Sequence, residues 1–130
     1  MRYLFSFAVF FAMIHVAYSD TLKRTVPANK ASLVGAQSVT NYDCSAGQVP
    51  QLQLRVKPKH GKVTFKKHRY TLGENAGRCA GSSVVGMLVF YTPEKGFRGE
   101  DRFKVGFTMY RYDEGGERNY LADKYIISVE

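Results

Sequence analysis

Outside its first residues, the chain carries few side chains suited to chemistry: Cys44 and Cys79, His60 and His68, and the carboxylates Glu100, Asp101 and Asp113. A zinc centre would require clustered ligands, and two cysteines without a CxxC spacing beside two scattered histidines do not form such a set. A calcium loop needs about six to eight oxygens. Glu100, Asp101 and Asp113 are not spaced as one, so a calcium or ligand site there is the lesser reading. There is no Gly-x-Ser-x-Gly and no nucleophile with a base at a suggestive spacing. The expectation is a protein without catalytic residues, metal or cofactor.

Charge is the stronger signal. The formal net charge is +8, and the excess is concentrated. Between Arg55 and Arg78 lie Arg55, Lys57, Lys59, Lys62, Lys66, Lys67, Arg69 and Arg78 against a single acid, Glu74, whereas acids outnumber bases from Glu100 to Glu130. Such polarity concerns what a protein attracts more than how it folds. Arg55, Lys57, Lys59, Lys62, Lys66, Lys67 and Arg69 are therefore the candidate contact residues for an anionic partner: lipid headgroups, acidic glycans or an acidic protein. The plain alternative is a solvated face whose lysines deter edge-to-edge sheet aggregation. Nucleic acid is not expected, because no aromatic platform is interleaved with the lysines. A second candidate surface is a tyrosine group, Tyr110, Tyr112, Tyr120 and Tyr125, since tyrosine is enriched at interfaces but is also an ordinary strand residue.

The amino-terminal stretch MRYLFSFAVFFAMIHVAYS has Arg2, then an apolar run from Leu4 to Val16, then the small residues Ala17 and Ser19. This is the pattern of a secretory signal peptide cleaved after Ser19. The apolar run is too short for a spanning helix, which needs about 20 residues, and no later segment is long and apolar enough to span. Residues 1–19 are thus expected to be removed on export to the periplasm or the exterior, leaving one domain with room for one core. In an oxidising compartment Cys44 and Cys79 are expected to pair as a structural disulfide.

The elements that must carry these residues read as strands. Residues 20–32 form a polar lead-in, and a short strand is expected around Gln37–Tyr42. "QLQLRVKP" alternates, with Leu52, Leu54 and Val56 on one face. Pro58 ends it, and His60 and Gly61 turn the chain into "KVTFKKH", with Val63 and Phe65 inward. The two segments read as a β-hairpin whose outward face gathers Arg55, Lys57, Lys62 and Lys66. Arg69–Ser83 reads as a short strand and a loop pinned by Cys79. "VVGMLVFYTP" is a central strand, "DRFKVGFTMYRY" places Phe103, Val105, Phe107 and Met109 inward, "EGGER" turns, and "NYLADKYIISVE" closes the fold with Leu121, Tyr125, Ile127 and Val129 on one face. Short strands separated by Gly and Pro turns, with no helical period, predict an all-β domain over residues 33–130. An antiparallel sandwich is favoured over a barrel.

The segments "KPKHGKVTF" and "FYTPEKGFRGEDRFKVGF" resemble the cadherin-like and immunoglobulin-like domains of secreted bacterial proteins. The matching positions are Pro58, His60, Gly61, Val63, Tyr91, Pro93, Gly96, Phe97, Gly99, Asp101 and Phe103. The match spans about Lys57–Glu130, departing from the pattern in the insertion around Cys79, in the absence of tandem repeats and in the turn "YRYDEGGERN". The resemblance implies a β-sandwich; such domains serve as spacers, adhesion modules and binding domains, so it does not select a function.

The loop "YTPEKGFRGEDRFKV" looks like a site but reads residue by residue as structure. Pro93 starts a turn, Gly96 and Gly99 suit positive φ, Phe97 folds back on the core edge, and Asp101 accepts backbone N–H groups. The functional expectation is a secreted or periplasmic non-catalytic module contacting an anionic envelope or surface component. The alternative is an exported, virulence-type effector that binds a host protein through the tyrosine-rich final hairpin.

Overall fold

Alternating apolar residues dictate strands, and strands are what most of the described residues form. The computed structural model describes residues 20–110 and 118–130; the expected signal peptide, Tyr112, Asp113 and the "EGGER" turn short of its last residue, Arg118, lie outside them. In chain order the strands are β1 (Thr21–Val26), β2 (Ser32–Gln37), β3 (Gln51–Val56), β4 (Gly61–Thr71), β5 (Ser83–Pro93), β6 (Gly99–Tyr110) and β7 (Arg118–Val129), with a short 3-10 segment at Glu74–Cys79. They make two sheets, one of four strands in the order β1-β7-β6-β3 and one of three in the order β2-β5-β4. All pairs are antiparallel except β1 with β7, which is parallel.

The sheets share one core. Val34, Val89 and Tyr91 from the three-stranded sheet meet Val26, Phe103, Val105, Tyr125, Ile127 and Val129 from the other. Three aromatic rings stack through its centre: Tyr91 with Phe103 at 5.9 Å between centroids and Phe103 with Tyr125 at 4.6 Å. Such offset contacts add to the transfer energy of rings that are already fully buried. Two glycines make room for the tyrosines. A Cβ on Gly61 would stand 2.5 Å from the Tyr91 ring, and one on Gly35 would collide with the Tyr125 hydroxyl.

Short connections tie the two sheets together at their edges. β1 and β2 are joined by a tight turn, and the Arg24 Nε on β1 donates to the Val34 carbonyl on β2 at 3.0 Å. At the opposite flank, residues 57–60 carry the chain from β3 to β4. The segment expected as a hairpin is therefore a crossover: β3 pairs with β6 in one sheet and β4 with β5 in the other. A short Gly-containing loop reverses the chain in both cases, and only the partner strands decide whether it stays in one sheet.

Three further expectations are corrected. Thr21–Val26, read as part of a lead-in, forms β1 against β7, and the early strand is β2 at Ser32–Gln37 rather than at Gln37–Tyr42, where only a Thr40–Ala46 bridge forms. A bulge between Leu54 and Val56 breaks the alternation of β3. Val56 thus turns outward opposite Lys104 and is 54 % exposed, whereas Leu52 and Leu54 pack on the core. Bulges do this by adding one residue to one side of the ladder.

Cys44 and Cys79 form a disulfide that closes a sequence separation of 35 residues. It fastens the long β2–β3 connection to the segment after β4. Arg78 reinforces the same junction, donating to the Tyr42 carbonyl at 2.5 Å with its guanidinium 4.9 Å from the centre of the Tyr42 ring.

Candidate anion-binding surface

The β3–β4 crossover is held by one buried carboxylate. Asp101, 3 % exposed on β6, accepts the backbone N–H of Lys59 at 2.9 Å and of His60 at 3.0 Å, the Tyr91 hydroxyl at 2.7 Å, and the N–H of Arg102 at 2.9 Å. Burial, and then the bond to Asp101, hold the Tyr91 hydroxyl well above the ordinary tyrosine range. The His60 ring stacks on Phe97 at 4.3 Å, almost parallel. Both rings are thereby fixed at the tip of the β5–β6 loop. Gly96 and Gly99 have φ of +80° and +131°, and Asn29 accepts the Gly96 N–H at 2.8 Å. The loop's distinctive residues thus have structural tasks, and Asp101 reaches further than a turn of its own: it pins the neighbouring loop.

That loop presents cations. Lys57 and Lys59 line a cleft of about 390 Å³ beside Val56, His60 and the Glu100–Arg102 segment. Inside it the carboxylates are engaged: Glu100 receives both Nε of Arg102 at 2.7 Å and Nη2 at 2.5 Å, and Asp101 is occupied by its donors. Arg102 is thereby neutralised, which leaves the lysines as the cations the cleft offers.

Arg55, Lys57, Lys59, Lys62, Lys66, Lys67 and Arg69 are all exposed, and the structure brings them together differently from a hairpin face. Arg55 lies on β3, Lys57 and Lys59 on the crossover, and Lys62, Lys66, Lys67 and Arg69 on β4. β3 and β4 are edge strands of different sheets, so these residues occupy one lateral flank of the molecule. Strand alternation puts Lys62 and Lys66 on one side of β4 and Lys67 and Arg69 on the other. Among the described residues, Lys57, Lys59, Lys62, Lys66, Lys67 and Arg69 form no ion pair.

Sequence reading missed a continuation of this charge. On the outer side of the four-stranded sheet, Lys104 on β6 stands directly opposite Lys124 on β7, and the exposed Val56 stands on the other side of Lys104. Lys23 follows on β1, opposite Ile126. Like charges directly opposed across strands are unfavourable. Among the described residues neither Lys104 nor Lys124 has an acidic partner. Outward alternation marks Lys104 and Lys124 in the sequence, but only the register makes them neighbours.

The tyrosine surface fares differently. Tyr125 is 1 % exposed, stacked in the core, with its hydroxyl pushed up to about 12 by burial and by the Asp123 carboxylate. It contributes nothing to an outer surface. Tyr112 lies outside the described residues, and Tyr110 and Tyr120 are placed in β6 and β7 by their backbone alone. A groove of about 600 Å³ at Val49–Gln53, Met87 and Thr108 has no titratable side chain in its lining. Among the described residues, no group of three or more potential metal ligands is assembled, and no helix is long and apolar enough to cross a membrane.

No family model, curated protein sequence or solved structure matches the chain.

Proposed function

We propose that this chain is a secreted or periplasmic, non-catalytic binding module. Its two sheets form an immunoglobulin-like or cadherin-like β-sandwich that holds an anionic envelope or surface component against its cationic flank. The observation that carries this reading is the gathering of Arg55, Lys57, Lys59, Lys62, Lys66, Lys67 and Arg69 on two adjoining edge strands and their crossover, with no carboxylate between them in sequence. Concentrated like charge raises the free energy of the isolated protein, and a polyanion offsets it. Edge lysines alone would serve solubility, but the clamp of Asp101 on Lys59 and His60 gives the lysine-bearing loop a fixed conformation. A loop whose backbone is already ordered loses less entropy on binding than a mobile one. Lys104, Lys124 and Lys23 extend the attractive surface over the adjoining sheet face. The disulfide is compatible with an oxidising compartment.

The test uses protein recovered from an exporting host, a soluble sulfated polysaccharide (dextran sulfate), and vesicles containing an anionic phospholipid. Binding to at least one is expected at low salt, weakening more than about tenfold by about 0.5 M salt as screening shortens. It should be lost when Lys57, Lys62 and Lys66 are all replaced by Glu. Binding that ignores salt and charge reversal, or no binding to either polyanion, would refute the reading.

A further inference from the structure

Asp123 on β7 is a buried carboxylate, 6 % exposed, with no ion-pair partner among the described residues. From β2, the Gln37 amide Nε2 donates to Oδ2 at 2.8 Å. From the start of β1, the backbone N–H of Asp20 donates to the same carboxylate, while the Asp20 side chain adds a second negative charge nearby. From β7 itself the neighbouring ionisable group is the neutral Tyr125 hydroxyl. Among the described residues no lysine, arginine or histidine pairs with Asp123. Burial, and then repulsion by Asp20, push its carboxyl above the ordinary value. Asp101 is buried too, but four donors surround it, whereas Asp123 has two and lies beside the negative charge of Asp20, so its desolvation is less fully offset.

The missing cation is supplied by the register. β1 runs parallel to β7 with Thr21 opposite Lys124, and the Lys124 N–H donates to the Asp20 carbonyl at 2.9 Å. This fixes the Asp20 backbone alongside Asp123, its nitrogen directed at the carboxylate. We propose that cleavage of the Ser19–Asp20 bond converts this nitrogen from an amide to an α-ammonium, and that Asp123 is the built-in receptor for that new terminus. In the hydrolysis the Ser19 C–N bond breaks, water supplies the oxygen of the departing Ser19 carboxylate, and Asp20 retains an amine. Near neutral pH that amine is largely protonated, since α-amino groups titrate at about 7.7–8.0. A neutral donor thus becomes a charge-assisted one without moving, and bonds of that type are roughly twice as strong. The pairing also holds β1, the edge strand of the larger sheet, to its partner. This inference rests on the export reading, with a signal peptidase cutting after Ser19.

The experiment expresses the full precursor in an exporting host in four forms. These are the natural chain, a chain with Ala-Gly inserted after Ser19 so that processing leaves a two-residue extension, and each of these with Asp123→Asn. Intact mass of each product locates its first residue. The natural product is expected to begin at Asp20 and to melt at least about 4 °C above the extended one, with the gap closing in the Asp123→Asn pair. Its α-amino group, followed by NMR, is expected to titrate above the ordinary range of about 7.7–8.0. A chain that keeps its first nineteen residues overturns the export reading and the proposal together, and processing at a different bond overturns the proposal alone. A first residue at Asp20 with no melting difference and an ordinary α-amino titration overturns the ion pair alone. Should Asp123→Asn fail to fold, the α-amino titration of the natural product decides.

Discussion

The carboxylate of Asp101 accepts the backbone N–H of His60 at 3.0 Å, bridging 41 positions of sequence between β6 and the β3–β4 crossover. One side chain thereby fixes the loop that carries Lys57 and Lys59, and the same side chain caps the buried Tyr91 hydroxyl at 2.7 Å. Asp101→Ala would leave the Lys59 and His60 amides without their acceptor and the Tyr91 hydroxyl with only a long contact to the His60 carbonyl at 3.5 Å. Of the three only the hydroxyl is fully buried, and orphaning a buried group costs about 1–3 kcal/mol, so a loss of about that size is expected in urea unfolding. Gly99→Val, at φ +131°, should cost about 1–3 kcal/mol from backbone strain. Near-native melting of both variants would show that the loop is not structural.

Tyr125 and Gly35 make a second test of packing. Gly35→Ala drives a methyl group into the Tyr125 hydroxyl, and overpacking of this kind costs about 1–3 kcal/mol. Tyr125→Phe removes the atom in the way, so the double variant should recover part of the loss. A cycle with additive effects would mean that the two residues are not in contact.

The disulfide closes a loop of 35 residues, worth about 4 kcal/mol on the chain-entropy relation. Replacing Cys44 and Cys79 by Ser should lower stability by roughly that amount, and a reductant should do the same to the natural protein. An unchanged urea midpoint for the Ser variant would contradict it.

Lys104 and Lys124 separate a solvated face from a binding one. Lys124→Glu changes an opposed like pair into an opposite one, which should stabilise by about 0.2–1 kcal/mol. If the face helps to hold a polyanion, the same change weakens binding to dextran sulfate. Stability and affinity should therefore move in opposite directions; a variant that is more stable and binds equally well would confine the contact to the flank.

A pH dependence follows from Asp123 when Asp20 is preceded by a peptide bond. Its folded carboxyl lies above the ordinary 3.8, raised by burial and then by the Asp20 carboxylate and eased by Gln37 and the Asp20 N–H. A raised acid contributes stability that is complete below 3.8 and is lost as pH climbs through the folded value. The two-residue-extended chain should thus lose stability, relative to its Asp123→Asn counterpart, as pH rises from about 4 to 7. Urea midpoints that run parallel over this interval would show that Asp123 is not desolvated.

Much of the fold was legible because burial on one face leaves a period of two. Phe103, Val105 and Phe107 in β6, Leu52 and Leu54 in β3, and the apolar run of β5 all follow it, and two cysteines allow one intramolecular pairing. β1 and β2 were not legible, because polar edge strands such as TLKRTV carry little periodic signal. The outward turn of Val56 depends on a bulge, which no local composition announced. The site was half visible: the cations from Arg55 to Arg69 stand together in sequence, whereas the approach of Lys104 to Lys124 exists only in the pairing of β6 with β7.

The parallel pairing of β1 with β7 imposes an order of events. A chain emerging amino end first, from a ribosome or a translocon, presents β1 long before the strand that holds it has been made. The larger sheet is therefore completed last, by the segment synthesised last, and such remote pairings slow folding. During that wait β1 is an open edge, and its Lys23 and Arg24 are the residues that keep a waiting edge from recruiting the wrong neighbour. The polarity that hid this strand from sequence reading is what makes its late docking safe.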